Sequence, residues 1–285
     1  MLRTLADMMN QDKRFAFGFT VMLILVALAF LSLFSPHDPR QWNVVPRDRP
    51  PSTQHLLGTT STGQDVSWQA TWAIRNTLLM SLIAMLSSRV LAIVIGLLAG
   101  YSGGTLDRIL MTLTDSFVIL PLLPILILVA SILKQSLSVV NLGILLGAFG
   151  WAWDARLIRS QVLSLREREF TYTAILSGMS TPRIIFGEYL PFIFPLITAT
   201  AMNNMLWAIG MEVTLAVLGL VSLEVATLGT MIHWAVNSQS ILLGMWWWIL
   251  TPVVICIFIF IALYMLSLSI NEILDPRLRV QRMTK

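Results

Sequence analysis

The sequence predicts an all-α, polytopic membrane protein: six transmembrane helices, with cytoplasmic helices between two of them. Three observations carry this. Of 285 residues, 56% are hydrophobic and only 12% charged, about half the charged share of a soluble domain. The mean hydropathy is +0.77. The apolar residues fall into stretches near the roughly 20 residues that a bilayer-crossing helix needs, and in lipid only helices satisfy such a backbone within themselves.

The expected spans are Phe15–Phe34, Ile74–Ala99, Ile109–Leu133, Val139–Trp153, Pro191–Leu220 and Trp246–Ile270. The first is longer than a signal-peptide core and is followed by "FSPHDP", no small-residue cleavage site, so it is expected to be retained. The fourth is short and Gly-rich. The fifth is long enough to kink or tilt. This divides the chain into a cytoplasmic N-terminus with the first helix (1–34), an extracytoplasmic loop (35–73), a five-helix core (74–270) that includes a polar insertion at 160–190, and a cytoplasmic tail (271–285).

Six crossings put both termini on one side, and basic residues choose the side. One set of segments holds thirteen, from Arg3 to Lys285; the other holds Arg40, Arg47, Arg49, Arg75 and Lys134. The richer set reads as cytoplasmic. The net charge of +4 is therefore a feature of loops beside a membrane, not a nucleic-acid footprint. Cys256 stands alone, so no intrachain disulfide forms, and its apolar run marks it as a small core residue.

Chemistry within the chain is excluded class by class. A phosphate-cradling P-loop needs a Gly-Lys pair, and none of Lys13, Lys134 and Lys285 follows a glycine. His37, His55 and His233 are scattered, no H-E-x-x-H metal motif exists, and no G-x-S-x-G elbow is present.

The most polar stretch between spans is "REREFTYTAILSGMSTPRIIFGEYLP", Arg166–Pro191. It reads as a helix ending near Leu176, with Gly178 just past its end. Thr181 and Pro182 then cap and open a second short helix. Ala174 and Gly178, small and four apart, would let a partner surface approach. Phe170, Ile175, Ile184, Ile185 and Phe186 would be apolar knobs. The alternative is an amphipathic segment on lipid headgroups.

These residues carry a resemblance. Glu169, Ala174, Gly178, Leu190 and Pro191 match the cytoplasmic loop signature of ABC importer permeases, with Thr173 in place of its first Ala. "LLGTTSTGQDV", "GLLAGYSGGTLDRILMTLTDSF", "ARLIRSQVLSLRERE" and "ILDPRLR" are similar to the second permease subunit of the dipeptide/oligopeptide/nickel importers. The likeness runs from about Leu56 to Arg279. It implies a second permease subunit, two ATP-binding subunits that hold ATP and Mg, an extracytoplasmic substrate-binding protein, and a location in the inner membrane. It implies that Glu169, Thr173, Ala174, Gly178, Pro182 and Arg183 couple the ATPases to the spans. The cargo class it implies is short peptides, with oligosaccharides or nickel chelates as alternatives. A stand-alone secondary transporter is the contrasting class, but no internal repeat supports one.

Within the spans, Arg89, Glu212 and Asp115 are the polar candidates for the translocation pathway. Arg89 lies eleven residues before Gly100, roughly 16 Å from the inner end. It is read either as pathway wall, with Glu212 as a partner, or as a structural pair. Glu212 and Asp115 either line the vestibule or hold helix ends. Asp154 reads as an interfacial partner of Arg156 or Arg159. Gly96, Gly100 and Gly104, and Gly143 and Gly147, recur at four, as in close helix contacts. Trp246–Trp248 reads as an outer aromatic belt. Val221–Met245 reads as a surface helix that with loop 35–73 forms either a cap or a plain connection. Thr60 and Gln64 replace the charged residues expected in "GTTSTGQDV", which would suit a neutral cargo, unless the segment simply packs on its neighbours.

Overall fold

The computed structural model describes residues 9, 12–133 and 137–274. Arg3, Lys134, Arg277, Arg279, Arg282, Lys285 and most of the 271–285 tail lie outside the described residues. Within them the chain is helical and no strand forms; the single β-bridge joins Thr59 to Asp65.

Helix α1, Lys13–Leu31, starts at Asp12, whose carboxylate accepts from the Arg14 N–H. It packs on the last helix, α10, Trp246–Leu274. A Cβ on Gly18 would meet Ala262 O at 2.8 Å, so only glycine allows this approach. Arg14 Nη2 pairs with Glu272 Oε2 at 2.6 Å. The start of the first span and the end of the last therefore lie on the same side.

Helix α2, Val66–Ser102, is 37 residues long, about 55 Å at 1.5 Å per residue. It begins eight residues before the expected Ile74. Asp65 caps it, accepting from Ser67 N at 2.8 Å and Trp68 N at 3.3 Å, and the polar turns that follow stand above the apolar segment. The expected third span is also different. It is two helices, α3 (Gly104–Ile119) and α4 (Leu122–Leu133), bent by 82°. Pro121 offers no N–H and holds Leu120 in extended geometry, which ends α3.

The expected fourth span is likewise no single apolar helix. It is α5, Val139–Phe149, and α6, Ala152–Arg166, separated at Gly150–Trp151. Together they run parallel to α2. Gly143 and Gly147 meet Met80, Ile83, Ala84 and Ser87 of α2; farther along, Gly96 and Gly100 of α2 meet Ala155, Ile158 and Val162 of α6. Two glycine pairs, one from each side, thus form one seam. Gly104 takes no part; nothing lies within 4 Å of the Cβ it lacks. Among the described residues, four helices are long and apolar enough to cross a membrane, and five spans result if the bent pair counts as one.

The short helix α7, Glu169–Leu176, leads through a turn into α8, Thr181–Val217, whose second segment, Ile184–Tyr189, is a π-helix. Helix α9, Leu228–Asn237, carries a capping box at Thr227 and Thr230. Its residues Leu228 and Met231 are fully buried, so the expected surface helix is a packed element of the outer half.

The outer loop is built into the fold. Gly58 (φ +73°) lies so close to Trp247 that a Cβ would be 2.6 Å from its indole nitrogen, and that nitrogen donates to Thr59 O at 3.2 Å. Trp248 is fully buried and Trp247 nearly so; only Trp246 is exposed. The expected three-residue belt is therefore one exposed tryptophan and two anchors. Thr60 and Gln64 are buried as well. Gln64 Nε2 donates to Pro39 O at 2.6 Å, and its Oε1 accepts from Gln69 Nε2 at 3.1 Å. Both are loop-packing residues, so they carry no argument for a neutral cargo.

Midway along the seam lies an ion pair. Arg89 Nη2 donates to Asp154 Oδ2 at 2.5 Å, and Nη1 donates to Thr200 Oγ1 at 2.7 Å. Arg89 is 5% exposed. The pair ties α2, α6 and α8 together, so Asp154 serves the middle of the bundle, and its expected partners go elsewhere. Arg159 Nε and Nη2 hold the Asp107 carboxylate at 2.5 and 2.6 Å, and Arg156 Nη2 donates to Asp115 at 2.5 Å. The packing of α6 along α2 places Asp154 beside Arg89.

Two tests follow from this packing. Gly147→Val places carbon where Ser87 already sits and should cost about 1–3 kcal/mol, read as a lower melting temperature in detergent. Gly210→Ala, in α8 with open space around it, should stay within about 0.5 kcal/mol of wild type. Arg89→Met alone, or Asp154→Leu alone, strands a buried charge and should cost about 3–5 kcal/mol, while the double substitution should recover most of the loss.

Candidate functional site

The segment expected to meet the ATP-binding subunits is a hairpin of α7 and the start of α8. Helix α7 ends in a six-to-one and a five-to-two hydrogen bond: Met179 N donates to Ala174 O at 3.1 Å, and Gly178 N to Ile175 O at 3.0 Å. This closure needs a left-handed residue after the cap, and Gly178 supplies it at φ +72°. Nothing lies within 4 Å of its missing Cβ. Gly178 is thus required for backbone shape, and no other residue of the chain crowds it.

The next helix begins one residue earlier than expected, at the cap Ser180, with Pro182 in its first turn where a missing N–H is harmless. It is not a separate short helix. It runs through the π-helical segment into the long α8. The Thr181 hydroxyl is bonded to Tyr101 Oη at 3.2 Å instead of capping.

The hairpin shares a core with the inner half of the bundle. Ala174, Ile184, Ile185 and Tyr189 belong to one buried cluster with Ala92 and Leu97 of α2 and Ile158 and Val162 of α6. Tyr189 Oη bonds Thr171 Oγ1 at 3.2 Å, and Thr171 Oγ1 donates to Leu165 O at 2.8 Å. Phe170 stacks on Phe192 at 5.3 Å. Ala174, Ile184 and Ile185, expected as docking surface, therefore face inward, because they fill the space between the hairpin and the spans.

The outward face is different. Glu169, Thr173, Pro182 and Arg183 are exposed, as are Ile175 and Phe186. Tyr172 and Leu176 join them, and Leu176 is 88% exposed. Sequence reasoning missed these two. Their signal was the four-residue spacing on the face opposite Thr171 and Ala174. Glu169 sits in the first turn of α7, where the helix dipole favours an acid.

The structure does not bring the three intramembrane candidates together. Arg89 is bound to Asp154, not to Glu212. Glu212 is fully buried on α8. Its Oε1 accepts from Thr227 Oγ1 at 2.5 Å. A Cβ at Gly229 would meet that oxygen at 2.7 Å. Glu212 thus anchors the first turn of α9, the helix-end role. Asp115 bridges α3 to α6 through Arg156 and keeps half of its side chain exposed.

Comparison with known proteins gives the family. Residues 92–280 match the family described as "Binding-protein-dependent transport system inner membrane component". The oligopeptide transport system permease protein OppC of Mycobacterium tuberculosis is 32% identical over 235 residues, covering 82% of this chain and 80% of its own length. The dipeptide transport system permease protein DppC of Bacillus subtilis is 29% identical over 273 residues, covering 95% and 84%. The nickel transport system permease protein NikC of Escherichia coli is 33% identical over 199 residues, covering 67% and 71%. A helical bundle with this packed inner hairpin, matched by the family over most of its length, identifies the chain as a member of the binding-protein-dependent transport system inner membrane components, and so as an ABC importer permease.

Proposed function

We propose that the chain forms half of a membrane pathway for short peptides, with a second permease chain as the other half. In this reading it crosses the cytoplasmic membrane six times, the composite α5–α6 being the fourth crossing, with both termini in the cytoplasm. Two ATP-hydrolysing subunits that hold ATP and Mg²⁺ seat against the α7–α8 hairpin. An extracytoplasmic receptor hands over the cargo. Asp115, half exposed, is the pathway candidate with an open side; Arg89 and Glu212 act as internal braces.

The observation that carries the reading is the two-sided hairpin. Its inner face is part of the core that holds α2 and α6, and its outer face presents unpartnered apolar side chains. A surface of that kind marks a protein contact, and the shared core supplies a rigid link from that contact to the spans. Peptides are favoured as cargo by the oligopeptide and dipeptide permeases among the relatives.

The test uses the assembled transporter in proteoliposomes with its receptor outside and ATP inside. Leu176→Glu should leave expression intact, because the side chain is exposed, and should lower ATP-driven peptide uptake by about tenfold or more. Gly178→Trp should do the same by straining the turn, while the ATPase subunits keep basal turnover. Normal uptake by both variants would remove the hairpin from coupling, and uptake by the lone chain without ATPase subunits would refute the importer reading.

A further inference from the structure

The outer face holds a two-lobed cleft that the coupling mechanism leaves unused. One lobe has a volume of about 400 Å³ and lies between the loop at Pro39–Trp42 and the segment leading into α9; Gln64 and Gln69 also line it. The second, about 530 Å³, extends toward Trp72, Asn76 and the start of α5. Volumes of this size suit a small organic ligand.

Arg40 and Glu224 line both lobes, so the two opposite charges stand where the lobes meet. Both are exposed, and no ion pair joins them. Among the described residues neither side chain has a hydrogen-bond partner. Asp38, also on the second lobe, is already engaged, its Oδ1 accepting from the Arg40 N–H at 2.9 Å. The first lobe adds an aromatic corner: Trp42 and Trp234 meet edge to face at 5.5 Å, yet Trp42 remains 56% exposed.

The walls of the cleft are rigid. Gln64 is bonded to Pro39 O and to Gln69, and Asn76 Nδ2 donates to Ala226 O at 2.8 Å. Each bond ties one wall to an element on another. The site is thus pre-shaped, with a free cation, a free anion and an exposed indole.

We infer that this cleft binds a zwitterionic ligand with an apolar body, a short peptide with free termini, whose carboxylate meets Arg40, whose amine meets Glu224, and whose side chain lies on Trp42. The inference rests on the peptide reading above and adds to it a place and a mode of recognition. Unlike charges held apart and unpaired recognise a ligand that carries both, and a guanidinium suits a carboxylate in particular.

The test compares a tripeptide with free termini, its C-terminal amide and its N-acetyl form, in uptake by the complete reconstituted importer with saturating receptor. The receptor is the same in every preparation, so a change in discrimination between permease variants belongs to the permease. Arg40→Gln should raise the KM for the free peptide by roughly threefold to tenfold and leave the amide unchanged. Glu224→Gln should do the same for the free amine against the acetyl form. Arg40→Lys should retain discrimination. Co-purification of the ATPase subunits checks that each variant assembles, and the exposed positions of both residues make assembly the expected result. Unchanged discrimination in both Gln variants overturns the cleft assignment while leaving the peptide reading intact. Failure of the wild-type importer to take up any of the three peptides overturns both. A Trp42→Cys variant that cross-links to the partner permease without peptide present would also overturn the assignment, because the cleft would then be a subunit contact.

Discussion

The structure depends on one constraint: α2 and the broken α5–α6 segment must lie side by side, in parallel, along a shared seam. Lipid provides no hydrophobic drive for this, since tails and side chains are equally apolar. Association rests on close contact and on polar groups that find partners. The seam has both. Its ends are glycines, which let backbone oxygens of one helix approach the other. Its middle is the Arg89–Asp154 pair, extended to Thr200. Removing either kind of contact leaves α6 without a reason to stay at its height. The position of α6 in turn fixes the hairpin, because Ile158 and Val162 share a core with Ala174 and Ile184.

The break at Gly150–Trp151 belongs to the same device. A continuous helix would close its own hydrogen bonds; here the Gly150 carbonyl turns to Asn204 Nδ2 at 3.0 Å, and Asn204 also donates to Ser88 Oγ at 3.2 Å. The interruption is thus stitched to α2 and α8 at the level of the ion pair. The outer half is fixed independently. Glu212 accepts from the first turn of α9, and Trp247 seals the outer loop onto α10.

What was legible in the sequence was whatever lipid or backbone geometry alone decides. The first and last spans follow from apolar length. The turn after α7 follows from Gly178, since few residues other than glycine take φ +72° without strain. The docking of α9 and the pairing of Arg89 were not legible, because they depend on which residues share a depth. Asp154 lies one residue past the expected apolar stretch, yet α6 continues from Ala152 alongside α2, and that packing gives Asp154 to Arg89 instead of to Arg156 or Arg159. The Pro121 break was visible as "LPLLP" but was outweighed by unbroken hydropathy on both sides. Trp247 shows the limit of composition. A tryptophan run near a membrane boundary suits an interfacial belt, yet an indole with a carbonyl to meet, such as Thr59 O, is better buried.

The same constraint bears on how the molecule moves. A segment tied by a buried ion pair, two glycine contacts and a shared core cannot bend within itself at small cost, so α2, α6, the hairpin and the inner part of α8 form one body. Force applied to the outward face of α7 must turn that body as a whole. Compliance has to lie where the ladder of backbone hydrogen bonds is already irregular, and the 82° corner at Pro121 between α3 and α4 borders that body. Asp107 and Asp115 keep α3 fastened to α6 on the near side of that corner. Helix α4, beyond it, is tied mainly through apolar contacts such as Leu126 and Ala130. A rigid body with a proline corner at its edge concentrates bending at that corner, between α3, which the ion pairs hold to α6, and α4, which they do not.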